Sequence, residues 1–219
     1  MRAVLFDMDG LMVDSESHAL AMWAIVLARR GITLDQPAID AMFGQRLDAT
    51  SRMLVRRYGL ADVPEKLGAE KTELQIERLD GNVQAMPGLR ELVDELDRRS
   101  LRYAIASSGL RRYIEAVLRI IGLAERFNVI VSGDDVARGK PAPDVFLCAA
   151  GRLGVRPLSC LVLEDAPNGV AAAKAAGMTC IAVPNRHTRS LDLSAADRIM
   201  HSLHVVRDEL DSLLNLLPR

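Results

Sequence analysis

Residues 3–10 read Ala3-Val4-Leu5-Phe6-Asp7-Met8-Asp9-Gly10. Four apolar residues run without alternation into two acids and a glycine. A short unbroken apolar run suits a strand covered on both faces, as in a parallel sheet, and the glycine marks a turn at its carboxyl end. Runs of the same character recur at residues 103–107, 129–132, 160–164 and 179–183. Helical patterns lie between them, over residues 88–99, 110–121, 143–153 and 169–176. Strand alternating with helix predicts an α/β fold built on a doubly wound parallel sheet.

Residues 15–82 break the alternation. They carry helical periods, clearest in residues 20–27, and no convincing strand. The expectation is an all-α domain inserted into the core, with residues 1–14 and 83–219 forming the core and 15–82 the insertion. Met86-Pro87-Gly88 is a turn signal at its exit. The tail after about residue 190 has no pattern that places it.

With 219 residues and 49% hydrophobic content, the chain can bury one core, or one core and a small accessory domain. The formal net charge is −1, and the arginines come in scattered pairs without interleaved aromatics, which argues against a nucleic-acid partner. Cys148, Cys160 and Cys180 are odd in number and lack C-x-x-C spacing, so they read as buried thiols in a reducing compartment. No basic, signal-like segment opens the chain, and no run reaches the roughly 18 apolar residues of a membrane helix. A cytoplasmic monomer without membrane contact is expected.

In open parallel sheets ligands bind at the carboxyl ends of the strands. Here those ends are polar: Asp7 and Asp9 after the first run, Ser107 and Ser108 after the second, Glu164 and Asp165 after the fourth, with Lys140 in a Gly-Lys-Pro loop between them. Asp7 and Asp9, two residues apart, point to the same side of an extended chain. Together with Asp165 they offer the hard anionic oxygens that suit Mg2+. A carboxylate attacking phosphorus forms an acyl phosphate that water then opens. Asp9 suits a general acid and base, the Ser107 hydroxyl and the N–H groups of Ser108 and Gly109 suit phosphate oxygens, and Lys140 adds a positive charge to the same group.

Four segments carry a resemblance. Residues 6–16 (from Phe6-Asp7-Met8-Asp9-Gly10 to Asp14-Ser15-Glu16), Ala106-Ser107-Ser108-Gly109, Gly139-Lys140-Pro141-Ala142-Pro143-Asp144, and residues 163–178 (beginning Leu163-Glu164-Asp165-Ala166-Pro167-Asn168-Gly169) resemble, in order, the four motifs of haloacid-dehalogenase-type phosphatases. The resemblance runs from the first residues to about Val183. It implies a Rossmann-like core with a mobile helical cap and Mg2+ as cofactor. It also implies Asp7 as nucleophile, Asp9 as acid/base, and Ser107 and Lys140 as phosphate clamps. Mg2+ would sit on the Asp7 side chain, the Asp9 main-chain carbonyl and Asp165, assisted by Glu164.

The resemblance further implies a hydrolase for small phosphorylated metabolites such as sugar phosphates or phosphoglycolate-like acids. The closest rival is a mutase of the beta-phosphoglucomutase kind. Its pattern needs a histidine and an arginine where this chain has Ala19 and Leu47, with His18 and Arg46 each displaced by one. His18, Gly44 and Arg46 remain candidate cap contacts to the leaving group. A P-loop kinase is excluded because Pro141 occupies the Ser/Thr position after the lysine. A non-catalytic phosphate-binding module on the same fold needs no nucleophile paired with an acid. Asp14 and Asp144 read as structural carboxylates, and His201 and His204, three apart, as a surface helix face.

Overall fold

Apolar runs too short for helices become the strands of a single parallel sheet in the computed structural model, which describes residues 1–42, 45–79 and 83–218. In chain order the elements are β1 (Ala3–Phe6), α1 (Glu16–Ala28), α2 (Gln36–Met42), α3 (Leu47–Tyr58), α4 (Pro64–Glu77), α5 (Leu89–Arg98), β2 (Arg102–Ala106), α6 (Arg111–Ile120), β3 (Ile130–Val131), α7 (Asp144–Leu153), β4 (Cys160–Glu164), α8 (Pro167–Ala175), β5 (Thr179–Ala182), β6 (Arg198–Ile199), α9 (Leu203–Asp208) and α10 (Leu210–Leu214). The chain divides into two compact units, Met1–Asp14 with Gln84–Arg219, and Ser15–Val83.

The strand order is β3-β2-β1-β4-β5-β6. The chain winds outward from β1 in one direction, then returns to lay β4 on the other side of β1. The point of reversal therefore falls between β1 and β4, where a doubly wound sheet opens a crevice at its carboxyl edge. Register brings these ends level, because Phe6 pairs with both Ile105 and Leu163. Asp7 and Glu164, which follow Phe6 and Leu163, therefore emerge side by side, with Ser107 one residue further along the neighbouring chain.

Burial follows from alternation along the strands. Ala3, Leu5, Ala104, Ala106, Cys160, Val162, Cys180 and Ala182 share one apolar cluster with Val145, Phe146, Ala149 and Ala150 of α7 and Val170, Ala172 and Ala173 of α8. Phe6, the alternate residue of β1, meets Phe127 edge-on at 5.7 Å, and Tyr103 closes the same aromatic group. Cys160 and Cys180 are free and buried, and burial alone pushes the Cys160 thiol up to about 11. Both behave as apolar packing groups.

The tail that had no expected place supplies the edge strand β6 and helices α9 and α10. Two residues, one charged and both exposed, are too little to give a strand pattern. His201 precedes α9 while His204 lies within it, so the expected shared helix face does not form. The helical unit has its own core of Met22, Trp23, Val26, Leu27, Ala38, Met42, Leu54, Leu67 and Leu74. Arg30, just after α1, reaches Asp62 at 2.6 Å and Glu70 of α4 at 2.7 Å. Among the described residues no helix is long and apolar enough to cross a membrane.

Leu5 is fully buried in the central strand, whereas Leu147 on α7 is 41% exposed. Leu5→Ala is expected to lower unfolding stability by about 2–5 kcal/mol, and Leu147→Ala by no more than about 0.5 kcal/mol. Urea titration checks this, with the midpoint moving and the slope unchanged. Equal losses at the two leucines would contradict the burial described.

Candidate active site

Asp7 is the first residue after β1, anchored by its N–H on the Leu163 carbonyl at 3.0 Å. Glu164 ends β4 and Asp165 follows it. The three carboxylates Asp7, Glu164 and Asp165 are 7%, 1% and 2% exposed, and each offers an oxygen within 4.8 Å of the others. Carboxylates this close and this dry repel one another unless cations are present. Lys140, 5% exposed, supplies one: its Nζ donates to Asp7 Oδ1, and to Glu164 Oε1 at 2.6 Å. The Phe146 ring lies 4.8 Å beneath the same ammonium.

One lysine among three acids leaves a deficit of positive charge. Burial, reinforced by Glu164 and opposed by Lys140, pushes the Asp7 carboxyl up to about 8. Burial disfavours the Lys140 ammonium, but the charges of Asp7 and then Glu164 outweigh it and hold the lysine protonated. Both shifts say that the group gains by taking in positive charge. An all-oxygen donor set with surplus negative charge fits a hard divalent cation such as Mg2+.

Glu164 is engaged on both oxygens. Oε2 accepts the N–H groups of Asp165 at 2.8 Å and Ala166 at 3.0 Å, while Oε1 holds Lys140. This requires glycine at 169 on α8, because a Cβ there would overlap the Glu164 carboxylate. Gly10 answers a second such demand. Its φ of +89° favours glycine, and a Cβ would overlap the Asp165 carboxylate and lie 2.7 Å from Asn185 Nδ2.

Asp9, half-buried, accepts a hydrogen bond from the Tyr113 hydroxyl at 2.9 Å. The Ser107 N–H is bonded to the Val131 carbonyl, and Ser107 Oγ accepts the Gly109 N–H at 3.0 Å. Ser108 is exposed on the same turn. Leu110 is extended, so α6 starts at Arg111, and Ser108 and Gly109 form a turn before the helix instead of its first turn. Of their two N–H groups, that of Gly109 is thus already engaged with Ser107.

In the helical unit His18 Nε2 meets the Gln75 carbonyl at 3.1 Å, and exposed Arg46 pairs with Asp48 at 3.2 Å. Gly44 lies outside the described residues. Asp14 pairs with Arg186 at 2.9 Å, and Asp144 with Arg138 at 2.7 Å.

Two residues of the core escaped the sequence reading. Asn185, after β5, donates through Nδ2 to Asp165 Oδ2 at 2.8 Å and to the Gly10 carbonyl at 3.0 Å. The strand-end rule applied to the fifth run would have reached it. Tyr113 is a phenol on a helix among apolar neighbours, and nothing in its sequence context ties it to Asp9.

Gly169→Ala separates two opposed effects. Alanine favours a helix over glycine by up to about 1 kcal/mol, but overpacking against Glu164 costs about 1–3 kcal/mol. The variant is expected to melt at lower temperature than wild type in thermal unfolding. A higher melting temperature would mean that Glu164 has room to move.

Comparison with known proteins gives this geometry its context. The fructose-1-phosphate phosphatase YqaB of Escherichia coli is 35% identical over 181 residues, covering 82% of this chain and 95% of that protein. The (DL)-glycerol-3-phosphatase 2 of Arabidopsis thaliana is 35% identical over 210 residues, covering 91% and 86%. The crystal structure of CbbY from Rhodobacter sphaeroides in complex with phosphate superposes with a TM-score of 0.87 at 28% identity, covering 94% of this chain and 96% of that one. The family model for haloacid dehalogenase-like hydrolases matches residues 1–177, which takes in both acid pairs, Ser107 and Lys140. The chain therefore belongs to the haloacid dehalogenase-like hydrolase family.

Proposed function

We propose that this chain is a Mg2+-dependent phosphomonoesterase, a cytoplasmic monomer that hydrolyses small phosphorylated metabolites through an aspartyl phosphate on Asp7. The observation that carries the proposal is the buried Asp7 carboxylate beside Glu164 and Asp165, with Lys140 bridging Asp7 and Glu164. Relatives named for small phosphate esters, fructose 1-phosphate and glycerol 3-phosphate, support the substrate class. Buried free thiols at Cys160 and Cys180 support a reducing compartment.

In this reading the Asp7 side chain, the Asp9 main-chain carbonyl and Asp165 would hold Mg2+. When bound, the ion neutralises phosphoryl oxygens that these carboxylates would otherwise repel. Asp7 attacks phosphorus, and the leaving oxygen takes a proton from Asp9. Water then gives a proton to Asp9 and attacks the phosphorus, releasing phosphate and freeing Asp7. Lys140 and the Ser107 hydroxyl stabilise the charge that moves onto the phosphoryl oxygens. Glu164, with both oxygens engaged, serves to place Lys140 and closes the acid group beside the metal. Asn185, bonded to Asp165 and to the Gly10 carbonyl, would fix the orientation in which that carboxylate meets the ion.

The helical unit is proposed as the cap that selects the leaving group, with His18, Gly44 and Arg46 as its candidate contacts. Hydrolysis is preferred to phosphate migration within a sugar because His18 and Arg46 already have partners inside that unit.

Phosphate release from a panel of sugar and polyol phosphates should depend on Mg2+, cease with chelator and return on repletion. Asp7→Asn is expected to lower the rate by about 10^3-fold or more. Asp165→Asn is expected to weaken Mg2+ binding measured by calorimetry, independently of turnover. Isomerisation without net phosphate release would replace the hydrolase reading with a mutase. Full activity of Asp7→Asn would remove the covalent intermediate.

A further inference from the structure

The turn that carries Ser107, Ser108 and Gly109 is backed by a second turn. β2 and β3 pair in parallel with Ala106 opposite Val131, so the residues that follow each strand run on beside one another. The Ser107 N–H donates to the Val131 carbonyl at 3.0 Å, and further on the Gly133 N–H donates to the Gly109 carbonyl at 2.8 Å. Contact between the turns is close. A Cβ at Gly133 would stand 2.5 Å from the Ser108 carbonyl oxygen and 3.2 Å from its carbon. Those are main-chain atoms and cannot swing aside as the end of a side chain can.

The next residue, Asp134, accepts the Arg111 N–H on Oδ2 at 2.9 Å. That N–H belongs to the first residue of α6, where a helix supplies no partner of its own, and Leu110 before it has no side-chain oxygen to offer. The backing turn is itself held by Asp135. Its Oδ2 accepts the Ser132 N–H at 2.8 Å, the Ser132 hydroxyl at 2.6 Å and the Arg111 guanidinium at 2.8 Å. Both main-chain polar groups of Gly109 are therefore engaged, the N–H with Ser107 Oγ and the carbonyl with Gly133. The Ser108 N–H meets no acceptor among the described residues.

We propose that Gly133 and Asp134 are positioning residues for phosphate binding. Gly133 sets where the turn of Ser108 and Gly109 lies, and Asp134 pins the start of α6 directly after it. The Ser107 hydroxyl and the Ser108 N–H then meet phosphoryl oxygens at a fixed place. The inference rests on the phosphatase reading above. Neither residue touches the phosphate; each acts through the turn. Donors already in place need no reorganisation when the anion arrives. On charge alone a carboxylate near an anion site weakens binding, so the direction of change when Asp134 is removed separates pinning from charge.

The test titrates inorganic phosphate into the Mg2+-saturated protein by calorimetry, and Mg2+ into the phosphate-free protein. Gly133→Ala is expected to weaken phosphate binding by about tenfold or more, and Asp134→Ala by about threefold or more. Asp134→Asn, whose amide oxygen still accepts the Arg111 N–H, is expected to stay within about twofold of wild type. Mg2+ affinity is expected to change by less than about twofold in all three, because Asp7 and Asp165 follow other strands and lie outside both turns. Wild-type phosphate affinity in Gly133→Ala, equal or tighter binding in Asp134→Ala, or equal losses in Asp134→Asn and Asp134→Ala would overturn the assignment. So would Mg2+ affinity falling in step with phosphate affinity, since that marks general damage. The Asp134 pair decides by itself where Gly133→Ala does not fold. Phosphate release by wild type from p-nitrophenyl phosphate is read separately. Its absence removes the phosphatase reading and this assignment with it, whereas its presence with unchanged phosphate affinity in the variants removes this assignment alone.

Discussion

A single ammonium group, Lys140 Nζ, stands between two buried carboxylates of the core unit. Charges in such a place persist only when paired and hydrogen-bonded, so much of the local structure follows from keeping this arrangement intact. Glu164 must present one oxygen to Lys140 and the other to two backbone N–H groups, which fixes its rotamer. That rotamer needs the space above Gly169, and the adjoining Asp165 needs the space at Gly10. The Phe146 ring beneath the ammonium joins the site directly to the apolar cluster under the sheet. Charge and packing are thus linked within a few residues.

The sheet decides which residues can take part. Segments separated by more than 130 residues in sequence meet because β1 and β4 pair in parallel with their ends level. A parallel sheet wound outward from β1 in two directions leaves its carboxyl edge open at this pair, and the polar ends of β1, β2 and β4 border that edge. The surplus of negative charge there fits a hard cation. The helical unit has its own apolar core and departs from the core chain directly after Asp14.

Errors of reading had physical causes. The edge strand β6 is exposed and two residues long, so it has no burial pattern to betray it. The start of α6 lies two residues later than the turn that carries Ser108 and Gly109, because local glycine and serine signals mark a turn as readily as a helix start. His201 and His204 are three apart, but a helix begins between them. Asp14, read as a structural carboxylate, pairs with Arg186 from a loop far along the chain, a partner that its local sequence does not name.

The sequence by itself determined the fold class and the family. Short apolar runs ending in acids, hydroxyls and glycine are enough to predict a parallel sheet with a polar carboxyl edge, because strand burial and strand-end chemistry are local properties of the chain. Asp7, Asp9, Ser107, Glu164 and Asp165 were legible for that reason as candidates, and Lys140 from its Gly-Lys-Pro loop. Only the tertiary structure decided which of them touch. The Lys140 bridge, the full engagement of Glu164, the bond from Asn185 to Asp165 and the bond from Tyr113 to Asp9 depend on register, helix rotation and side-chain reach between distant segments. Spacing along one chain carries no record of those distances.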